Sequence, residues 1–227
     1  MTILGIDTSG KGASAALCSE NEIIGQYFVQ TGKTHSQVIL PLCKKLVEDA
    51  GMTLNDIDVF AAADGPGSYT GLRIGISAVK AMAYGLGKKC IGISTLEAIA
   101  YNFAGAHEGY VCCVMKARLD IVYCAVFMLS GGKVMRCTQD LMKTRSELDV
   151  MLCEYHDRTI IVSGDAAEDF IGFYGADERK LAPLHLRYQL ASGICMCALD
   201  NEPGDPDELN ARYMQITKAE KDLLENK

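Results

Sequence analysis

Short apolar runs broken by turn residues open the chain. Ile3 to Ile6 stops at Asp7-Thr8-Ser9-Gly10; Ala13 to Cys18 and Ile23 to Gln30 follow across the polar segments Gly10-Lys11-Gly12 and Ser19-Glu20-Asn21-Glu22. Runs of this length bounded by turn chemistry predict strands, and the short turns predict antiparallel pairing. The period then changes. Val38, Ile39, Leu42, Leu46 and Val47 recur at helical spacing, so a helix is predicted from Ser36 to about Ala50, ended by Gly51. Pro41 falls near its first turn, where a lost N–H costs least, and a bend is expected there. Val59 to Ala63 and Cys90 to Ser94 predict two more strands. Between them a helix follows Thr70 and runs to about Gly85, and Thr95 is expected to cap a further helix over Leu96 to Ala104.

The second half repeats this order loosely. Tyr110 to Lys116, Ile121 to Leu129 and Val134 to Thr138 predict strands, the last two joined by Ser130-Gly131-Gly132. Ser146 is expected to cap a helix toward Tyr155, and Ile160 to Ser163 reads as a buried strand ending at Gly164-Asp165. A helix over about Leu186 to Leu199, a loop at Glu202-Pro203-Gly204-Asp205-Pro206 and a charged helix from Lys218 complete the expectation. No fixed-period repeat is present. The echo predicts two lobes, residues 1–105 and 106–227, with the last helix placed where it can turn back onto the first lobe.

Composition narrows the class. The chain has 227 residues, no Trp and 7% aromatics, so its core must be mostly aliphatic with Met and Cys as fillers. Its ten cysteines are scattered and form no Cys-x-x-Cys pair. That argues against a zinc knuckle or a thioredoxin-type motif, and buried free thiols point to a reducing cytosol. The net charge of −7 argues against a lone grip on nucleic acid, although it does not forbid a local basic patch. No basic region precedes the first apolar run, so no secretory signal is read there, and no apolar stretch of about 18 residues exists to span a membrane.

Three features could carry chemistry. Asp7-Thr8-Ser9, with Gly10 and Gly12 beyond, sets a carboxylate and two hydroxyls at a tight turn. Such a turn can hold a phosphate or a hydrated Mg²⁺ ion, or can be a plain hairpin. The stretch Gly65-Pro66-Gly67-Ser68-Tyr69-Thr70-Gly71-Leu72-Arg73-Ile74-Gly75 lies between a strand and a helix, where N–H groups can meet an anion. It is neither a P-loop nor the dinucleotide fingerprint. The helix after it is rich in small residues: Gly71, Gly75, Ser77, Ala78, Ala81, Ala83 and Gly85. Glycine in a helix costs about 1 kcal/mol relative to Ala. Close helix–helix approach, within the lobe or across an interface, would offset that cost, and the residues alone do not decide which. The four histidines, His35, His107, His156 and His185, are far apart, with no His-x-x-x-His. No Gly-x-Ser-x-Gly elbow occurs.

Together, Ile6-Asp7-Thr8-Ser9, Thr34-His35-Ser36 before Leu40-Pro41, the Gly-Pro-Gly-Ser-Tyr-Thr-Gly stretch and Gly92-Ile93-Ser94-Thr95-Leu96-Glu97-Ala98 resemble the TsaB (YeaZ) family over about the first hundred residues. The second half resembles it less. Lys116-Ala117-Arg118 stands where the family has Asp-Ala-Arg, Gly164-Asp165-Ala166-Ala167 is similar to its Gly-Asp-Gly-Ala turn, and Ala211-Arg212-Tyr213-Met214-Gln215 replaces Pro-x-Tyr-Leu-Arg. The resemblance implies an actin-like (ASKHA, ribonuclease H-like) α/β fold of two lobes, each a mixed sheet flanked by helices. It implies an accessory, non-catalytic subunit in forming threonylcarbamoyladenosine beside the tRNA anticodon. Its partners would be the transferase TsaD and the ATPase TsaE, with tRNA met through the complex and a homodimer when alone. The implied interface maps to His35, Ile39 and Leu42 on one helix and Leu72, Gly75, Ala78, Val79 and Met82 on the other. Asp7, Thr8 and Ser9 map to a vestigial phosphate site. No cofactor or metal of its own is implied; nucleotide or Mg²⁺ is expected only at a shared interface. The alternative is an actin-fold ATP-dependent small-molecule kinase, in which Asp7-Thr8-Ser9 would serve the phosphates. Lys116 in place of an acid speaks against it.

Overall fold

The computed structural model describes residues 1–175 and 177–214. Strands β1 (Thr2–Asp7), β2 (Ala13–Ser19) and β3 (Ile23–Val29) pair antiparallel, as the short turns predict. Strands β4 (Val59–Gly65) and β5 (Lys89–Ser94) join parallel to β1, giving the order β3-β2-β1-β4-β5. Because β1 is central, both its faces are covered. Leu4 and Ile6 pack under helices α1 (His35–Asp49) and α2 (Tyr69–Leu86), against Ile39, Leu46 and Val79. Ile3 points to the other face, against Ile194 and Cys195. This strict alternation is the period of a strand, and each fully buried Leu or Ile contributes about 1.5–3 kcal/mol.

The second sheet repeats the plan. Strands β6 (Gly109–Lys116), β7 (Ile121–Ser130) and β8 (Lys133–Arg136) pair antiparallel, while β10 (Ile160–Ser163) and β11 (Arg179–Leu181) lie parallel beside β6. The order β8-β7-β6-β10-β11 matches that of the first sheet, which makes the loose sequence echo a structural one. A short β9 (Leu141–Thr144) also pairs with β7. Helix α3 (Thr95–Tyr101) packs on both sheets: Ala98 and Tyr101 meet the first, Leu96 and Ile99 the second. Helices α4 (Arg145–Leu152) and α5 (Ala167–Tyr174) cover the far face of the second sheet. Helix α6 (Ala191–Leu199), from the second half, lies on the first sheet beside α3. Arg136 ties the halves together, pairing with Glu97 at 2.7 Å and Asp140 at 2.6 Å.

Several expectations shift. Ser94, not Thr95, caps α3, its hydroxyl accepting the Glu97 N–H at 3.3 Å. Thr144, not Ser146, caps α4: Thr144 accepts from the Glu147 N–H at 3.2 Å, and the Thr144 N–H donates to the Glu147 carboxylate at 2.7 Å. In both, the cap stands three residues before a Glu; the bonds are reciprocal in α4, whereas Glu97 of α3 turns its carboxylate to Arg136. Helix α5 is a further finding; its buried or half-buried positions 167, 170, 171 and 174 have helical spacing, but eight residues rich in aromatics and Gly make a weak signal. Helix α6 starts at Ala191, because Leu184–Leu186 form a separate 3₁₀ turn. Helix α1 runs through Pro41 to Asp49. The ten cysteines are all free, and only Cys137 and Cys153 are exposed. The charged helix expected from Lys218 lies outside the described residues.

Candidate functional site

The turn after β1 and the start of α2 are built into each other. Ser68 caps α2, accepting the Gly71 N–H at 3.2 Å, and its own N–H donates to the Ser9 carbonyl at 2.8 Å. The Thr8 hydroxyl donates to the Gly71 carbonyl at 2.7 Å. A Cβ on Gly71 would sit 2.0 Å from the Thr8 carbonyl oxygen, and one on Gly75 would sit 2.6 Å from the Thr8 hydroxyl. Gly71 and Gly75 of α2 therefore allow a close approach between helix and strand turn, not between two helices. A close helix–helix approach does exist elsewhere: a Cβ on Gly193 of α6 would fall 1.9 Å from the Ala98 carbonyl of α3.

Asp7, Thr8 and Ser9 come together here, and all three are buried. Asp7 Oδ1 accepts from the Ser9 N–H at 2.8 Å and the Ser9 hydroxyl at 2.6 Å. Its Oδ2 has no hydrogen-bond partner in the structure, and burial pushes the carboxyl up to about 6 despite the two Ser9 bonds. What the turn presents outward is Gly10 and Lys11.

These two open onto a cleft of about 1320 Å³ between the halves. Ser9 to Lys11 and Gly67 to Tyr69 form one wall, and Met115 to Leu119 with Ile121 and Tyr123 form the other. Arg212, Tyr213 and Met214 border the cleft. Asp165 sits among them; burial raises its pKa, and its carboxylate accepts the Lys116 N–H at 2.8 Å. Lys116 Nζ reaches Asp169 at 2.7 Å, which holds that carboxyl below its usual range. Among the described residues no three His, Cys, Asp or Glu side chains gather as a metal site.

Of the residues expected at a partner interface, Leu72 lies at the floor of this cleft and the others lie elsewhere on α1 and α2, most of them turned inward. Ile39, Leu72, Gly75, Ala78 and Val79 are buried in the chain's own core, while His35, Leu42 and Met82 are partly covered. Burial also lowers the pKa of His35. Core packing thus claims Ile39, Leu72, Gly75, Ala78 and Val79, which leaves His35, Leu42, Met82 and the exposed residues of the same helices to form an outer surface. At about 100° per residue, Thr70, Ser77, Ala81 and Gly85 share the outer side of α2, and all are exposed.

One flank of that side is covered by the chain itself. Residues 205–214 return from α6 and run along α2. Asp207 bonds Tyr84, the Leu209 carbonyl accepts from Lys80 at 3.2 Å, and the Tyr213 hydroxyl accepts from Arg73 Nε at 2.9 Å. Arg212 ends the run on Asp64, with its guanidinium at 2.6 Å and its N–H on the Asp64 carbonyl at 2.7 Å. Burial pushes Asp64 up while Arg212 pulls it down. This strap flanks the Ser77–Ala81–Gly85 stripe and leaves it open.

Comparison with known proteins places this geometry. A family profile described as "TsaD: tRNA N6-adenosine threonylcarbamoyltransferase" matches residues 27–151. The tRNA threonylcarbamoyladenosine biosynthesis protein TsaB of Bacillus subtilis is 29% identical, covering 100% of this chain and 99% of that one. The structure of YeaZ from Pseudomonas aeruginosa superposes with a TM-score of 0.77 at 21% identity, covering 94% of this chain and 99% of that one. An activator of 2-hydroxyisocaproyl-CoA dehydratase from Clostridium difficile, solved with bound ADPNP, superposes at 0.51 and 14% identity over 88% of this chain and 95% of that one. The fold is actin-like: two mixed sheets flanked by helices. Among the described residues no helix is long and apolar enough to cross a membrane.

Proposed function

The chain belongs to the TsaB (YeaZ) family of tRNA threonylcarbamoyladenosine biosynthesis proteins, within the reach of the TsaD profile, and from that premise we propose that it is a non-catalytic, cytosolic subunit that docks onto a TsaD-type transferase. In this reading a TsaE-type ATPase joins the pair, tRNA meets this chain as part of the complex, and alone the chain self-associates through the same helices. Nucleotide or Mg²⁺ would be held only where subunits meet.

The observation that carries the reading is the outer side of α2. Ser77, Ala81 and Gly85 are small and exposed along one strip, and open space surrounds Gly85. Leu40 is half exposed on neighbouring α1. Small side chains let a second helix come near enough for many weak dispersion contacts to add up. The internal use of the Thr8 and Ser9 hydroxyls supports the non-catalytic part, because both already donate within the chain, to the Gly71 carbonyl and the Asp7 carboxylate, where a kinase would turn them to its phosphates.

Ser77→Arg and Ala81→Arg place a long charge on this strip without touching the core. Each is expected to abolish co-elution with the TsaD-type partner in size-exclusion chromatography while thermal unfolding of the isolated chain stays within about 0.5 kcal/mol of the parent, as for surface changes in general. Unchanged co-elution would remove the α2 strip from the interface. Gly75→Leu could not serve, since its side chain would run into Thr8.

A further inference from the structure

The cleft carries the opposite charge to the chain. Overall, acidic residues outnumber basic ones, 29 to 22. The cleft is lined by Lys11, Lys116, Arg118 and Arg212 with Asp165 as its acidic member. Lys116 and Arg212 are paired, with Asp169 and Asp64. Lys11 and Arg118 have no carboxylate within ion-pair reach among the described residues, and they stand on opposite walls: the β1–β2 turn and the β6–β7 hairpin. At the rim, Tyr69 and Tyr213 stack with ring centroids 4.7 Å apart, each about two-fifths exposed at 41% and 42%. Arg73 lies over the Tyr69 ring at 4.2 Å. The floor is apolar, with Leu72, Met115 and Tyr123.

Cations spread along a groove and exposed aromatic rings beside them suit one ligand chemistry. Successive phosphates need charge at intervals, and unpaired bases need a flat ring to stack on. A free polyphosphate would need several donors converging on one point, whereas the two unpaired cations lie on different walls and the Thr8 and Ser9 hydroxyls already donate within the chain. We propose that the inter-lobe cleft receives an unpaired stretch of RNA directly, with phosphates on Lys11 and Arg118 and a base against the Tyr69–Tyr213 pair. This rests on the reading that the chain works in tRNA modification, and gives it a direct contact with the substrate.

The test is fluorescence anisotropy of a labelled anticodon stem-loop RNA with the full chain alone. Saturable binding is expected at roughly 10⁻⁴–10⁻⁶ M near physiological salt. Lys11→Glu with Arg118→Glu should weaken it about tenfold or more and lower the salt slope by about 1.4, from roughly 0.7 per lost cation. Tyr213→Ala should weaken it about fivefold or more, the loss of one base stack. Thermal unfolding confirms that each variant is folded, and Arg118→Gln alone provides a milder variant with a smaller expected loss. Three results would overturn the proposal: equal binding of a blunt duplex with no unpaired bases, complete displacement by excess ATP, or unchanged binding of the double variant. Co-elution of the double variant with the TsaD-type partner separates the two readings. Co-elution retained with no RNA binding by the parent chain defeats the RNA contact alone; RNA binding with no co-elution of the parent defeats the docking reading alone.

Discussion

At the residue scale, Asp7 is the least comfortable group in the first sheet. One carboxylate oxygen takes both Ser9 bonds, and the other has none. Ionising it inside the protein is costly, so its pKa stands at about 6 instead of the usual 3.8. The folded state therefore holds a proton that the unfolded state has already lost. Stability from the protonated form is fully present below about 3.8 and is lost as pH rises through about 6. The difference corresponds to about 3 kcal/mol. Asp7→Asn, which removes the charge but keeps the Ser9 acceptor, is expected to stabilise the chain by about that much at neutral pH and by almost nothing below about pH 4. Urea unfolding at both pH values checks it; an equal effect at both would place the cause outside the ionisation. The sequence identifies Asp7 as a carboxylate ending a strand, but not that Ser9 turns it inward.

At the element scale, α2 has glycines with opposite roles. Gly71 touches the Thr8 carbonyl, and Gly85 touches nothing. Gly71→Ala should destabilise by about 3 kcal/mol or more, at the upper end for overpacking, because the obstacle is backbone that cannot rotate away. Gly85→Ala should stabilise by about 0.5–1 kcal/mol, since it removes unfolded-state freedom with no clash. Chemical denaturation of the isolated chain measures both, and a shared sign would refute the two-sided reading of the helix. Composition showed that α2 was unusually small in its side chains. It did not show that Gly71, Gly75, Ala78 and Ala83 face the chain's own core while Ser77, Ala81 and Gly85 face out. The inward placement of Ile39, Leu72 and Val79 follows from the same competition: a helix lying on a sheet turns its largest apolar residues to the sheet first.

At the scale of the whole molecule, the first sheet is completed by the second half. Helix α6 covers Ile3 and Ala16, the Ala191 N–H donates to Ser14 Oγ at 3.0 Å, and the strap buries Leu209 beside the first core. A fragment of residues 1–105 would expose that face. It is expected to show no cooperative thermal transition, whereas the full chain unfolds in one. A sharply melting fragment would show that α6 is dispensable. Lys11, Arg118 and Tyr213 are brought to one cleft by the same long-range closure, which is why no local motif announces that surface.

The sequence by itself determined the regular elements of the first half, the absence of a metal motif and the family, because periodicity, capping residues and short motifs are local properties. Only the tertiary structure decided what fills each space left by a missing side chain. A glycine states that something comes near. Whether that is Thr8 against Gly71, Ala98 against Gly193, or open solvent beside Gly85 depends on residues that meet only when the chain has closed.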